Sequence, residues 1–260
     1  MENSEFVRYE LQERVAYITL DRPDKRNALS HQVVTELLEA FKLAELSSDA
    51  KVCVLRANGK AFCAGADLDY LKKLQAYDFD QNLQDSSHLK SLFEFIYKMN
   101  KPVIAQIQGH ALAGGAGLAT VCDFAFAVPE AQFGYTEVRI GFIPAIVMIF
   151  LIRKIGESRA KELLLSGDLI DAHTAERYGM INRIIPADEI EGYVREFSQR
   201  LCSQNSGQSM AITKRMIGDI QHFPVTEALN FAARMNARAR GSEDCKRGIA
   251  AFLNKESMSW

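Results

Sequence analysis

The apolar positions along the chain change period several times, and each change predicts an element. Residues 6–20 alternate and are rich in branched side chains, with a polar break at Gln12, Glu13 and Arg14, which predicts a strand hairpin. From His31 the period lengthens: Val34, Leu37, Leu38, Phe41 and Ala44 share one face of a helix that Ser30 can cap. Residues 51–57 read as a buried strand closed by an Asn58-Gly59 turn. The chain then turns polar and afterwards helical over 71–100, and Pro102 stops that helix before the apolar run Val103, Ile104, Ala105 and Ile107. Residues 124–128 predict another strand, and 131–144 a loop with brief extended pieces. Helices over 146–155 and 160–166, a turn and short helix over 167–180, and a strand in INRIIP follow. From 188 to 252 the pattern is helical throughout, broken at Gly207, Pro224 and Gly241. The alternation predicts an α/β core over 1–195 and a helical region over 196–260, with no internal repeat and no low-complexity linker.

Two stretches combine a strand with a glycine-led helix. The strand ending at Ile107 leads through Gly109 to Gly114, Gly115 and Gly117, which precede or enter a small-residue helix over 116–122. In AFCAGADLDYLKKL, Gly65 again separates an apolar start from a helical pattern. Such a junction leaves the helix's first N–H groups unpaired and backed by the positive end of its dipole, a place for developing negative charge. Gly115, Gly117 and Thr120 reproduce a dinucleotide fingerprint only in part. The acid about twenty residues on, Glu137, precedes Gly-Phe-Ile-Pro instead of ending a strand, so that reading is set aside.

Composition narrows the partners. With 48% hydrophobic and 25% charged residues, a net charge of −2 and a pI near 6.2, the chain has the profile of a soluble globular protein and no basic face for nucleic acid. The longest apolar run, 143–152, holds a proline and is about half a membrane span. The start of the chain is acidic and polar, unlike a secretory signal. Five scattered cysteines with no C-x-x-C predict reduced thiols, a cytoplasmic setting and no metal site.

Few side chains suggest chemistry. His31, His88, His173 and His222 lack metal-ligand spacing, and His110 beside Gly109 reads as structural. Asp67 can cap the helix after Gly65. Glu137 lies among Phe133, Tyr135, Val138, Ile140 and Phe142, surroundings that would raise its pKa and suit proton transfer.

LDRPDKRNALS, KAFCAGADL, QGHALAGGAGLATVCDFAFA and AQFGYTEVRIGFIP resemble the enoyl-CoA hydratase (crotonase) family in order and spacing, and SGDLIDAHTAERYGMINRIIP and SEDCKRGIAAFLNK extend the likeness through nearly the whole chain. The resemblance implies a spiral of ββα units, a helical C-terminal region that builds a homo-trimer or hexamer, and an acyl-CoA thioester substrate with no separate cofactor. It implies that the N–H groups of Ala66 and Gly114 hold the thioester oxygen, with Ala64, Asp67, Leu68 and Gly115 beside them. Lys25 and Arg26 would lie near the CoA phosphates, and Phe252 and Lys255 would approach the adenine end from a neighbouring subunit. Glu137 matches the second of two glutamates used by hydratases. The first is replaced by Gly117, expected to leave room where that acid would sit. TEVRIGFIPAIV looks like bacterial methylglutaconyl-CoA hydratases. The expectation is therefore hydration of a short, branched or polar 2-enoyl-CoA. Isomerisation on the single acid is the alternative, followed by decarboxylation of a CoA ester, and a non-catalytic acyl-CoA-binding scaffold is the reading of another class.

Overall fold

The computed structural model describes residues 4–260; the first three residues of the polar start lie outside it. Strands β1 (Val7–Gln12) and β2 (Val15–Leu20) form the expected antiparallel hairpin, registered from Val7 opposite Leu20 to Gln12 opposite Val15. Its two-residue turn holds Glu13 and Arg14 at φ of 46° and 69°, the left-handed pair that a tight hairpin needs, without the usual Asn or Gly. Next to β2, the strands β3 (Val52–Ala57), β5 (Val103–Ile107), β7 (Phe124–Ala127) and β10 (Arg183–Ile184) join in parallel, in the order β1-β2-β3-β5-β7-β10. Because helices cover a parallel sheet, its central strands are buried along their whole length and largely apolar, as in β2 and β5.

A second sheet runs β4 (Ala61–Cys63), β6 (His110–Leu112), β8 (Gln132–Gly134) and β9 (Leu169–Asp171); the first three are parallel. Each turn of the chain thus gives one strand to the large sheet, the next to the small sheet, and then a helix. β3 and β4 are followed by α2 (Leu68–Leu74) and α3 (Phe79–Lys98), β5 and β6 by α4 (Gly114–Val121), β7 and β8 by α5 (Val147–Ile155). This is the ββα spiral, repeated in structure although not in sequence. Ahead of it, α1 (His31–Leu46) is capped by Ser30 and buries Val33, Val34, Leu37, Ala40, Phe41 and Ala44. Buried Glu36 on the same helix accepts the N–H groups of Phe6 and Val7 and so fastens β1 to it.

After α6 (Glu157–Ser166) and α7 (Ala172–Tyr178), α8 (Ile190–Gln204) packs on β2, β3, β5 and β7. The expected border at residue 195 falls inside α8, whose apolar face completes the core; the tail begins with α9 (Gly207–Ile220), α10 (Val225–Arg240) and α11 (Glu243–Asn254). Lys214 ties the tail down, meeting Asp123 at 2.7 Å and the carbonyls of Ile96 and Lys101. Two further expectations shift. Helix α4 starts at Gly114, so the glycines lie in its first turn, and β6 and β9 are strands too short for their alternation to show. Among the described residues no helix is long and apolar enough to cross a membrane, and no group of three His, Cys, Asp or Glu could hold a metal.

Candidate active site

Three strand ends bring the site together. β4 pairs with β6 (Cys63 opposite Ala111) and β6 with β8 (Leu112 opposite Gly134), so the segments that follow them emerge side by side. Those segments carry Ala66, Gly114 and Glu137. The loop after β4 turns at Gly65, φ 90°, and lies so near the start of α4 that a Cβ on Gly65 would stand 2.8 Å from the Ala113 methyl and 3.7 Å from the Gly114 nitrogen. Gly115 is pressed against Cys63: a Cβ there would stand 2.1 Å from its carbonyl oxygen. Any side chain would part the two junctions.

The N–H groups of Ala66 and Gly114 donate to no backbone acceptor among the described residues, while those of Asp67 and Ala113 beside them do. Leu29 N–H donates to the Gly65 carbonyl at 2.7 Å, Asp67 N–H to the Leu29 carbonyl at 2.8 Å, and Ala113 N–H to the Gly134 carbonyl at 2.7 Å. The flanking peptides are thus fixed, and these two N–H groups are left without a backbone partner. Gly114 is also the first residue of α4, whose first turn holds no acidic side chain to oppose the dipole. Ala113, just before it, sits at φ 50°, ψ −121°, a conformation costly for an alanine and held by the packing around it.

Glu137 opens a one-turn 3-10 segment, Glu137–Ile140, three residues after β8. Below it, Tyr135 is fully buried with its hydroxyl 2.6 Å from Thr120 Oγ1 on α4; beyond it, Arg139 pairs with Asp168 at 2.7 Å. The Oε2 atom of Glu137 is buried with no hydrogen-bond partner. Burial pushes its pKa up, only partly opposed by a bond from its own backbone N–H. A carboxyl group so placed readily exchanges a proton with a ligand.

The other expected residues separate into four groups. Ala64 and Arg26 are joined through backbone: Ala64 N–H donates to the Arg26 carbonyl at 3.1 Å, and Arg26 is left-handed at φ 52°. Lys25 is exposed and pairs with Asp69 at 3.1 Å, at the mouth of this loop; Leu68 is exposed at the start of α2. Asp67 caps α2. Its carboxylate is buried, accepts the N–H groups of Asp69 and Tyr70, and meets Arg22 at 2.7 Å. Burial alone would raise its pKa, but these partners hold it below the usual range. Phe252 and Lys255 lie at the end of α11, which packs on α10, and the chain places them with the tail.

Gly117 does not leave room. A Cβ there would stand 2.2 Å from Val147 Cγ1 and 3.0 Å from Phe93 Cε1, so α5 and α3 fill the place where a second acid was expected to fit. The periodicity of neither helix revealed this contact across 30 residues of chain. Asn27 also escaped notice. It is buried, donates to the carbonyls of Asn58 and Ala61 at 2.8 Å and accepts the Arg22 N–H, fixing the loop that carries Leu29. Burial pushes the Cys63 and Cys122 thiols up to about 12, which removes both as nucleophiles.

The family model for enoyl-CoA hydratase/isomerase matches residues 10–260. The chain belongs to the enoyl-CoA hydratase/isomerase family. A Thermus thermophilus protein assigned as an enoyl-CoA hydratase is 37% identical over 241 residues, 93% of this chain and 95% of that one. The 2,3-dehydroadipyl-CoA hydratase of Escherichia coli is 31% identical, covering 95% and 94%. Among solved structures, an enoyl-CoA hydratase from Shewanella pealeana superposes with a TM-score of 0.95 at 32% identity, covering all of this chain and 97% of its own. The fold is therefore the crotonase fold, and the protein is an enzyme of this hydratase/isomerase family.

Proposed function

We propose that the enzyme hydrates a short 2-enoyl-CoA with a branched or polar acyl group, with coenzyme A entering as part of the substrate. The observation that carries this reading is the buried, unpartnered carboxyl oxygen of Glu137 beside the two unused N–H groups. With the thioester oxygen between Ala66 and Gly114, charge that develops there during attack at C3 is met by two donors and a helix end. The Glu137 carboxylate takes a proton from the attacking water as its oxygen bonds to C3, then returns that proton to C2 as the enolate collapses. One acid serves both transfers, so OH and H arrive on one face. The hydratase names of the relatives favour this outcome, and TEVRIGFIPAIV supports a methylglutaconyl-like acyl group.

Isomerisation is the second reading, favoured by Val147 standing over Gly117. There Glu137 would take a proton from C2 of a 3-enoyl-CoA and deliver it to C4 of the same enolate. Mass spectrometry on a panel of 2-enoyl and 3-enoyl thioesters in 18O-labelled water separates the two. Hydration adds one labelled water; isomerisation returns the mass unchanged apart from solvent hydrogen. The Glu137→Gln variant should lower kcat about 10²-fold or more at similar KM in either case. Full activity in that variant would move proton transfer to another residue, sought in the 70–100 segment, whereas no turnover of any thioester by the native enzyme would leave only the binding scaffold.

A further inference from the structure

A cavity of about 360 Å³ lies away from these loops, at the seam between the starts of the large-sheet strands and the helical tail. Arg14 reaches it from the hairpin turn, and Lys51 and Lys101 from just before β3 and β5. Gly207 and Gln208 at the start of α9, and Asp244 and Arg247 of α11, complete its wall. From there β3 alone carries the chain on the order of 20 Å toward the loops of the candidate site.

Four cationic side chains therefore face one carboxylate, and that carboxylate is engaged: Asp244 accepts the Ser206 hydroxyl at 2.5 Å and lies 3.8 Å from Arg247. Lys51 is 7% exposed, and its ammonium donates to the Cys202 carbonyl at 2.6 Å. Lys101 donates to the carbonyls of Ala44 and Ser47. Carbonyls satisfy N–H groups without neutralising charge. Lys51 and Lys101 form no ion pair among the described residues, Arg14 donates to the main-chain oxygen of Trp260, and burial pulls both ammonium pKa values down. Two ammonium groups without an ion pair, flanked by Arg14 and Arg247 around a cavity with the start of a helix in its wall, favour a multiply charged anion over a single carboxylate. The volume falls in the range of sites for small organic ligands and exceeds what one phosphate needs. Trp260, with Arg247 stacked 4.9 Å from its ring centre, supplies an aromatic wall.

We infer that this cavity is a second binding site, for a small molecule bearing two linked phosphoryl groups, which would clamp the helical tail to the core. Inorganic pyrophosphate and ADP are the probes, titrated calorimetrically into the full chain at constant ionic strength with sodium chloride as control. Saturable one-to-one binding is expected, weakened roughly tenfold or more in Arg247→Gln and in Lys51→Met, since each removes a charge-assisted contact. Arg247 is largely exposed, so its variant keeps the test valid if the buried lysine proves necessary for folding. Turnover of the acyl thioester should show an unchanged KM in Arg247→Gln. Absence of pyrophosphate binding by the native protein, or equal affinity in Arg247→Gln, would overturn the site; a KM rising in step with lost affinity would make it part of the substrate site instead.

Discussion

Glu137 is destabilising by the same features that suit it to proton transfer. Its buried, unpartnered oxygen raises the folded-state pKa above the unfolded value, so folding holds the proton more tightly than the open chain does. The contribution of Glu137 to stability is therefore most favourable below the unfolded value, about 4.3, and is lost as pH rises through the folded pKa. Glu137→Gln, which cannot ionise, should therefore unfold at a higher urea concentration than the native protein at pH 7, with the gap closing toward pH 4. A gap that widens on acidification would contradict the assignment. Gly117 teaches a different lesson. Its replacement of a family glutamate was legible in the sequence, yet its crowding was not, because Val147 and Phe93 come from two other helices. Gly117→Glu alone should cost about 1–3 kcal/mol by overpacking, more if the carboxylate is buried charged, and Val147→Ala in the same chain should recover part of it. Urea unfolding of the single and double variants measures both.

At the scale of elements, the site is the meeting of β4, β6 and β8, each three residues long. Such strands carry too little alternation to be read from a sequence, whereas the capped helix α1, the hairpin and the apolar β5 were all legible because their patterns run longer. The glycines gave the junctions away, and the motif resemblance gave the residues. Periodicity alone did not show that the junctions touch, which the resemblance implied and which follows from parallel pairing between strands nearly fifty residues apart. The helix start offers a direct probe of the donor pair. Proline suits the first position of a helix, and Gly114 holds that position in α4, so Gly114→Pro deletes one donor while the helix can persist; its ring would only press on Leu29, 3.1 Å from where a Cβ would stand. Turnover should fall by about 10²–10³. Near-native kcat in a variant with native circular dichroism would remove Gly114 from the pair.

For the whole molecule, the spiral core and the tail stand in contrast. The core buries its central strands, while α9, α10 and α11 contain no buried residue and leave Phe252 82% and Leu253 72% exposed. Ile217, Val225, Leu229 and Ile249 add further uncovered apolar surface on the same three helices. Helices amphipathic in sequence with neither face buried are short of a partner, and a closed ring of identical chains is the simplest way to supply one. The expectation of a trimer or hexamer therefore stands on the tail. It would also place Phe252 and Lys255 where one subunit can reach another's CoA, which the single chain does not do. Light scattering should give three or six times the 29.1 kDa chain mass at micromolar concentration. Phe252→Glu with Leu253→Glu, both on exposed positions, should lower that mass toward one chain without loss of helix content and raise KM for the thioester. A native protein that scatters as a single chain would refute the assembly, and with it any role for Phe252 and Lys255 at a neighbouring site.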